Sequence, residues 1–142
     1  MKISIKPVLF LLSAIGLLLA GCASSGPTTP EANAAADALK QFHRAEITGD
    51  VDGMVAAFSD NWTNPEGATK AVLRGYFEGA VAQGAFLNLS VNEDDAGYSF
   101  DGSIVTATPI VYNSPAGPSH FTYKLKKETD GVWRIVNSYQ IQ

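Results

Sequence analysis

The spacing of apolar residues changes once along this chain, near Leu87, and that change limits the fold more than any other feature. Before it, apolar side chains recur every three or four residues, the period of a helix buried on one face; after it they alternate, the period of a strand. Leu39, Phe42 and Ala45 or Glu46 mark a first helix over Glu31 to Thr48, which Gly49 stops. Asp50 is placed to cap a second helix, in which Val51, Met54, Val55 and Phe58 form a stripe. Leu73, Tyr76, Phe77, Ala80, Val81 and Gly84 give a third, opened by Thr69, with Gly75 and Gly79 spaced for a close contact. DNWTNPEG, Asp60 to Gly67, is expected as the loop between the second and third helices.

Beyond the change, Leu87, Leu89 and Val91 alternate with polar residues, and the acidic turn Glu93-Asp94-Asp95 leads to a strand at Tyr98 to Phe100. Asp101-Gly102 turns into Ser103 to Tyr112, NSPAGP leads into Ser119 to Lys127, and Thr129-Asp130-Gly131 turns into Val132 to Ile141. On the last strand Trp133, Ile135, Asn137 and Tyr139 are expected to share a face. Three helices followed by an antiparallel meander make an α+β domain. The strand through Ile104 to Tyr112 is apolar on both faces, with Val105, Ala107 and Val111 on one and Ile104, Ile110 and Tyr112 on the other. One face is therefore expected under the helices and the other under a second subunit, a homodimer through the sheet.

The first residues have a different logic. Lys2 and Lys6 precede an apolar run, Val8 to Leu19, short for a membrane span and suited to a signal peptide. The run ends in Leu19-Ala20-Gly21-Cys22, which resembles the lipobox of bacterial lipoproteins. The resemblance implies cleavage before Cys22, lipidation of its sulfur and acylation of the new amino terminus, several chains being what stable anchoring needs. Ala23 and Ser24 include no aspartate of the kind used for inner-membrane retention, which implies the outer membrane where a cell has two. The domains expected are thus a signal peptide over 1–21, a flexible tether over 22–30 (small, polar and proline-bearing) and one folded unit over 31–142. A single cysteine also excludes an intramolecular disulfide.

Removing Lys2 and Lys6 leaves 8 basic residues of 10 against 14 acidic ones, a formal charge of −6, so nucleic acid is not an expected partner. The element order, ITGDVDGMVAAFSDNW and the closing DGVWRIV resemble the nuclear transport factor 2-like superfamily, also called SnoaL-like or cystatin-like. The resemblance spans roughly Glu31 to Gln142 and implies a cone-shaped α+β barrel: a curved sheet wrapped around the long helix, with a pocket at its open end.

It also permits a comparison with ketosteroid isomerase, in which an aspartate base works beside a tyrosine oxyanion donor. The position matching the base is Asn64, in Asn64-Pro65-Glu66-Gly67, and the position matching the tyrosine is Phe42. An amide cannot take a proton from a carbon acid near neutral pH, and phenylalanine donates no hydrogen bond, so that chemistry is not expected. Asp60 and Glu66 read as solvated loop acids, His43 and His120 as solvent-facing, and Glu93-Asp94-Asp95 as a solvated turn without the glycine and alternation of a calcium loop. No metal-ligand spacing occurs, and no metal or other cofactor is expected. What remains is aromatic. Phe42, Trp62, Tyr76, Tyr112, Tyr123 and Tyr139 are candidates to line a pocket, with Asn64 and Asn137 to orient a ligand, although Phe42 and Phe77 fit a filled core and Trp62, Asn64 and Tyr139 suit either role. The expectation is a lipid-anchored binder of a small apolar or amphipathic molecule, or of a protein partner. An enzyme with an unassigned acid or base and a structural module with a filled cone are the alternatives. A cavity holding a desolvated carboxyl or histidine would mark the enzyme, and a filled cone the structural module.

Overall fold

The computed structural model describes residues 26–142; the leader and Cys22 lie outside the described residues. Helix α1 spans Pro30–Thr48. Proline suits its first turn, Thr29 accepts from the Ala32 N–H at 3.1 Å, and Gly49 ends it in the left-handed region at φ 71°. Gly26, within the segment expected as tether, bridges Gly97. Asp50 caps α2, Val51–Ala56, by accepting from the Gly53 N–H at 3.0 Å, a cap worth about 1 kcal/mol.

Phe58 does not continue the α2 stripe, and Asp60 to Thr63 are not loop: β1 runs Phe58–Thr63 with Phe58, Ser59 and Trp62 buried. A single 3-10 turn at Lys70–Val72 then leads to α3, Leu73–Ala82, without a side-chain cap from Thr69. Gly75 and Gly79 make no close contact, since a Cβ on Gly75 would meet nothing within 4 Å and one on Gly79 only the Gln83 side chain at 3.9 Å. The alternation expected from Leu87 begins late. Residues 83–88 form turns, Leu87 is 70% exposed, and β2 is only Ser90–Asn92.

The remaining strands are β3 (Gly97–Phe100), β4 (Ile104–Ser114), β5 (Gly117–Lys127) and β6 (Trp133–Ile141). The sheet order is β1-β6-β5-β4-β2, with β3 also on β4. The sheet is mixed rather than antiparallel, because β1 lies parallel to β6 at its edge. Helices on one face of a curved sheet give the α+β class.

Two bulges decide which side chains face the helices. Between Ala107 and Ile110 the β4–β5 register slips, and Thr108 and Pro109 together oppose Thr122. One extra residue turns every later side chain over. Ile110 and Tyr112 therefore join Val105 and Ala107 in the core, and all four are buried. The second apolar face from which a sheet-to-sheet homodimer was expected is thus mostly the same face. The second slip makes Val136 the extra residue on β6, since Leu125 faces Ile135 and Lys124 faces Asn137. Trp133 and Ile135 stay inward, but beyond the bulge Ser138 and Gln140 point in, not Asn137 and Tyr139 as expected.

Candidate functional site

Helix α1 buries Ala32, Ala35, Ala36, Leu39, Phe42, His43 and Glu46, an i, i+3, i+4, i+7 stripe carried through four turns. Its last members are polar. His43 is 2% and Glu46 5% exposed, which overturns the solvent-facing reading of His43. They meet the inward tyrosines delivered by the β4 bulge. The Tyr112 hydroxyl donates to Glu46 Oε2 at 3.0 Å, and the Tyr112 and Tyr123 hydroxyls are 2.6 Å apart. With the Tyr112 proton committed to Glu46, Tyr123 is the donor of that second bond, so the chain runs Tyr123 to Tyr112 to Glu46.

Burial, chiefly, pushes the Glu46 carboxyl from its ordinary 4.5 to about 8; the Tyr112 hydrogen bond pulls against this and the Glu93 charge adds to it. Burial also raises both tyrosines well above the ordinary phenol value. Glu93 is not part of a solvated turn. Ala96, fully buried, anchors that turn, Asp94 and Asp95 stay exposed, and Glu93 Oε1 is hydrogen-bonded with His43 Nδ1, the Glu93 side chain being only 10% exposed. The His43 ring stands edge-on to Tyr112 at 5.4 Å and to Tyr123 at 5.8 Å, and its Nε2 is buried without a hydrogen-bond partner.

Above this cluster the cone is open. A cavity of about 930 Å³ has Phe42, Glu46, Tyr112 and Tyr123 at its buried end, Phe58, Trp62 and Phe77 in its wall, and Asn64, Glu66, Tyr76 and Tyr139 toward its mouth. Phe42 and Phe77 are also core residues. Trp62 is mainly wall: it packs edge-on to Phe58 at 5.3 Å, and its Nε1–H donates to Ser138 at 3.2 Å. Asn64 spends its side-chain oxygen on the Ala68 N–H at 2.8 Å, closing its own loop. Asn137 does not line the cavity; its amide donates to the Thr63 carbonyl at 2.9 Å and ties β6 to β1. Tyr76, 67% exposed, and Tyr139, 38% exposed, stand at the rim.

The other acids and the second histidine lie apart from this floor. Asp60 is exposed and pairs with Lys70 at 2.8 Å, which holds its carboxyl below the usual range. His120 is exposed on the outer sheet face. Among the described residues no group of three or more histidine, cysteine or acidic side chains is placed to hold a metal.

Glu46 is the functional candidate that the sequence reading passed over. The lining includes no lysine or arginine, and one hydrogen bond, from Tyr112, reaches the Glu46 carboxyl. Its other oxygen is left for whatever enters. A neutral carboxyl at the bottom of an apolar pocket can donate to a bound oxygen, and a group that titrates near pH 8 can also exchange a proton with it.

No family model and no curated protein matches the chain. Solved structures do. A cystatin-like protein of unknown function from Nostoc punctiforme matches at 14% identity and a TM-score of 0.61, over 79% of this chain and 91% of that one. A ketosteroid isomerase-like protein from Erwinia carotovora atroseptica matches at 12% and 0.58, over 81% and 99%. The CaMKII hub of S. rosetta matches at 19% and 0.60, over 81% and 98%. At these identities the likeness is one of fold, and the fold is cystatin-like.

Proposed function

We propose that this chain is a lipid-anchored cell-envelope protein whose domain holds one small, largely apolar molecule, polar end down, against Glu46. The observation that carries the reading is the cavity itself: about 930 Å³, walled by aromatic side chains, with one free polar group at its buried end. Ligand sites for small molecules have that size and that ratio of apolar wall to orienting polar group. The anchor follows from the leader, through the lipobox resemblance at Cys22.

Glu46 favours a second reading, in which the bound molecule is a substrate for proton transfer of the isomerase or dehydratase kind. The acid missing from the sequence reading is present, and an open cavity with a desolvated carboxyl is the mark given above for the enzyme. A carbon-acid isomerase nevertheless needs both a base and a separate donor for the developing oxyanion. Both tyrosine hydroxyls are engaged in the chain to Glu46, and Asn64 and Phe42 stand where a base and a donor would be in the isomerase pattern. Binding is therefore the conclusion.

Acetylnaphthalene, a flat apolar ketone, tests it through quenching of tryptophan fluorescence, to which Trp62 in the cavity wall and Trp133 both contribute, in the full-length chain in mild detergent. Saturable quenching is expected, and Ala68→Phe, which adds a large side chain to the cavity lining without adding a tryptophan, should weaken it at least about tenfold, a loss of about 1.4 kcal/mol. Equal quenching in both proteins would place the probe elsewhere and end the reading. Exchange of the ketone's α-hydrogens for deuterium, lost in Glu46→Gln, would move the conclusion to the enzyme.

A further inference from the structure

The last stretch of β6 has its polarity the wrong way round for a closed core. After the extra residue at Val136, Ser138 and Gln140 face the cavity, while Tyr139 and Ile141 are left 38% and 37% exposed. Without that bulge the alternation would exchange the two sets and turn a tyrosine and an isoleucine inward. A domain that had only to fill its own interior would gain by the exchange, because apolar side chains would leave water and polar ones would return to it.

The wall opposite has ordinary polarity: Leu73, Tyr76 and Phe77 of α3 line it, with Phe86 and Leu89 beyond them. The cavity is thus apolar on its helix side and polar along β6. Those polar groups still have hydrogen-bonding capacity to offer. Ser138 Oγ accepts from the Trp62 Nε1–H at 3.2 Å, which leaves its own proton to donate. Asn137, on the other face, spends its amide on the Thr63 carbonyl, whereas among the described residues no hydrogen bond engages the amide of Gln140. Ser138 and Gln140 lie opposite Tyr123 and Phe121 of β5, and β4, which carries Tyr112, is the next strand over. They therefore stand one to two strand spacings, about 5–10 Å, from the tyrosines that meet Glu46.

Resting on the cavity-binding reading above, we propose that Ser138 and Gln140 are specificity-determining residues: they form a second polar contact in the cavity and hold a hydroxyl group of the ligand, about 5–10 Å from the group that meets Glu46. A hydroxyl is donor and acceptor together, so it accepts the Ser138 proton and donates to the Gln140 carbonyl oxygen. This strip of β6 presents no charged side chain, and an ionised group would find no counter-charge on it. The ligand class is a flat, mainly apolar skeleton with two neutral polar groups, its apolar face against α3 and its hydroxyl against β6. A skeleton without the hydroxyl leaves Ser138 and Gln140 covered and unpaired, and that loss is what discriminates between the two.

Equilibrium dialysis of the full-length chain in mild detergent compares two probes on one skeleton, 2-acetylnaphthalene and its 6-hydroxymethyl derivative. The quantity read is the ratio of their affinities in the wild type against that in Gln140→Leu, since detergent takes up the two probes unequally but alike for both proteins. The preference for the alcohol is expected to fall by about fivefold or more in the variant. A ratio that does not move overturns the inference, even where both affinities drop, because a merely structural role for Gln140 weakens the two probes together. Binding of the plain ketone with an unmoved ratio leaves the cavity reading standing and removes this one alone. If neither probe binds the wild type, the cavity reading falls and the second contact with it. Gln140→Leu enlarges the apolar rim; should it aggregate, Gln140→Ala decides on the same ratio.

Discussion

Replacing Glu46 by glutamine should change how stability depends on pH, and the size of the change follows from the burial of one carboxyl. In the unfolded chain Glu46 titrates at its ordinary 4.5; in the folded domain burial moves it to about 8. Between those values the native state holds a proton that the unfolded state has released. Stability from this group is therefore complete below the unfolded value and is lost as pH rises through the folded one. The loss is about 1.4 kcal/mol per pH unit, so between pH 5 and pH 9 it reaches at most about 4 kcal/mol. Water reaching the cavity-facing oxygen relieves part of it, and about 2–4 kcal/mol is the expected range.

Glutamine keeps an oxygen that accepts from Tyr112 and has no proton to lose, so Glu46→Gln should be flat where the wild type slopes. Urea unfolding of the full-length chain at several pH values is the assay. With an m-value of roughly 1.5–2 kcal/mol per molar, the wild-type midpoint falls by about 1–3 M from pH 5 to pH 9, and that of the variant stays nearly level after the changes common to both are subtracted. Parallel curves for the two proteins would refute the reasoning, because they would mean that Glu46 ionises in the folded domain as easily as in water.

Tyr112→Phe removes the one hydrogen bond to Glu46 and leaves the Tyr123 hydroxyl without its acceptor; a stability cost of about 1–3 kcal/mol below pH 6 is expected in the same assay. Since that bond favours the Glu46 anion, its loss should raise the carboxyl midpoint further above about 8 by NMR. Cys22→Ser should abolish labelling with a fatty-acid analogue and release the protein from membranes; retention unchanged from the wild type would refute the lipobox reading.

The fold class was legible because it depends on period, and period survives local error. Leu39, Phe42, Met54, Leu73 and Phe77 are buried where the helical stripes put them, and Val105, Leu125 and Ile135 where the alternation does. Position along a strand was less legible. A proline inside a central strand cannot donate to the ladder and signals a bulge, so Pro109 could have shown that Tyr112 turns inward with Ala107. Val136 has no such marker, and the inward turn of Ser138 follows from pairing with Tyr123, which only the folded sheet reveals. FSDNWT was missed for another reason. As a short edge strand that pairs parallel with the end of the chain, it has no neighbouring turn to announce it.

The site was hidden by a habit of reading charge as exposure. Carried from Ala32 through Ala35, Ala36, Leu39 and Phe42, the α1 stripe predicts His43 and Glu46 as its next inward positions. Chemistry argued the other way, since histidine and glutamate at a helix end are usually solvated. When period and residue type disagree, the disagreement is itself informative. A helix that maintains its buried face through two ionisable residues has to supply them with partners, and here these come from three separate parts of the sheet region: Tyr112, Tyr123 and Glu93. Filling the same positions with leucine would serve a closed core better, because each buried polar group forfeits hydration that a hydrogen bond only partly returns. The cone is open above them instead. That combination, a costly polar floor beneath unfilled apolar space, is what a ligand would offset, and it is why the Glu46 variants test the site more directly than any change at the aromatic rim.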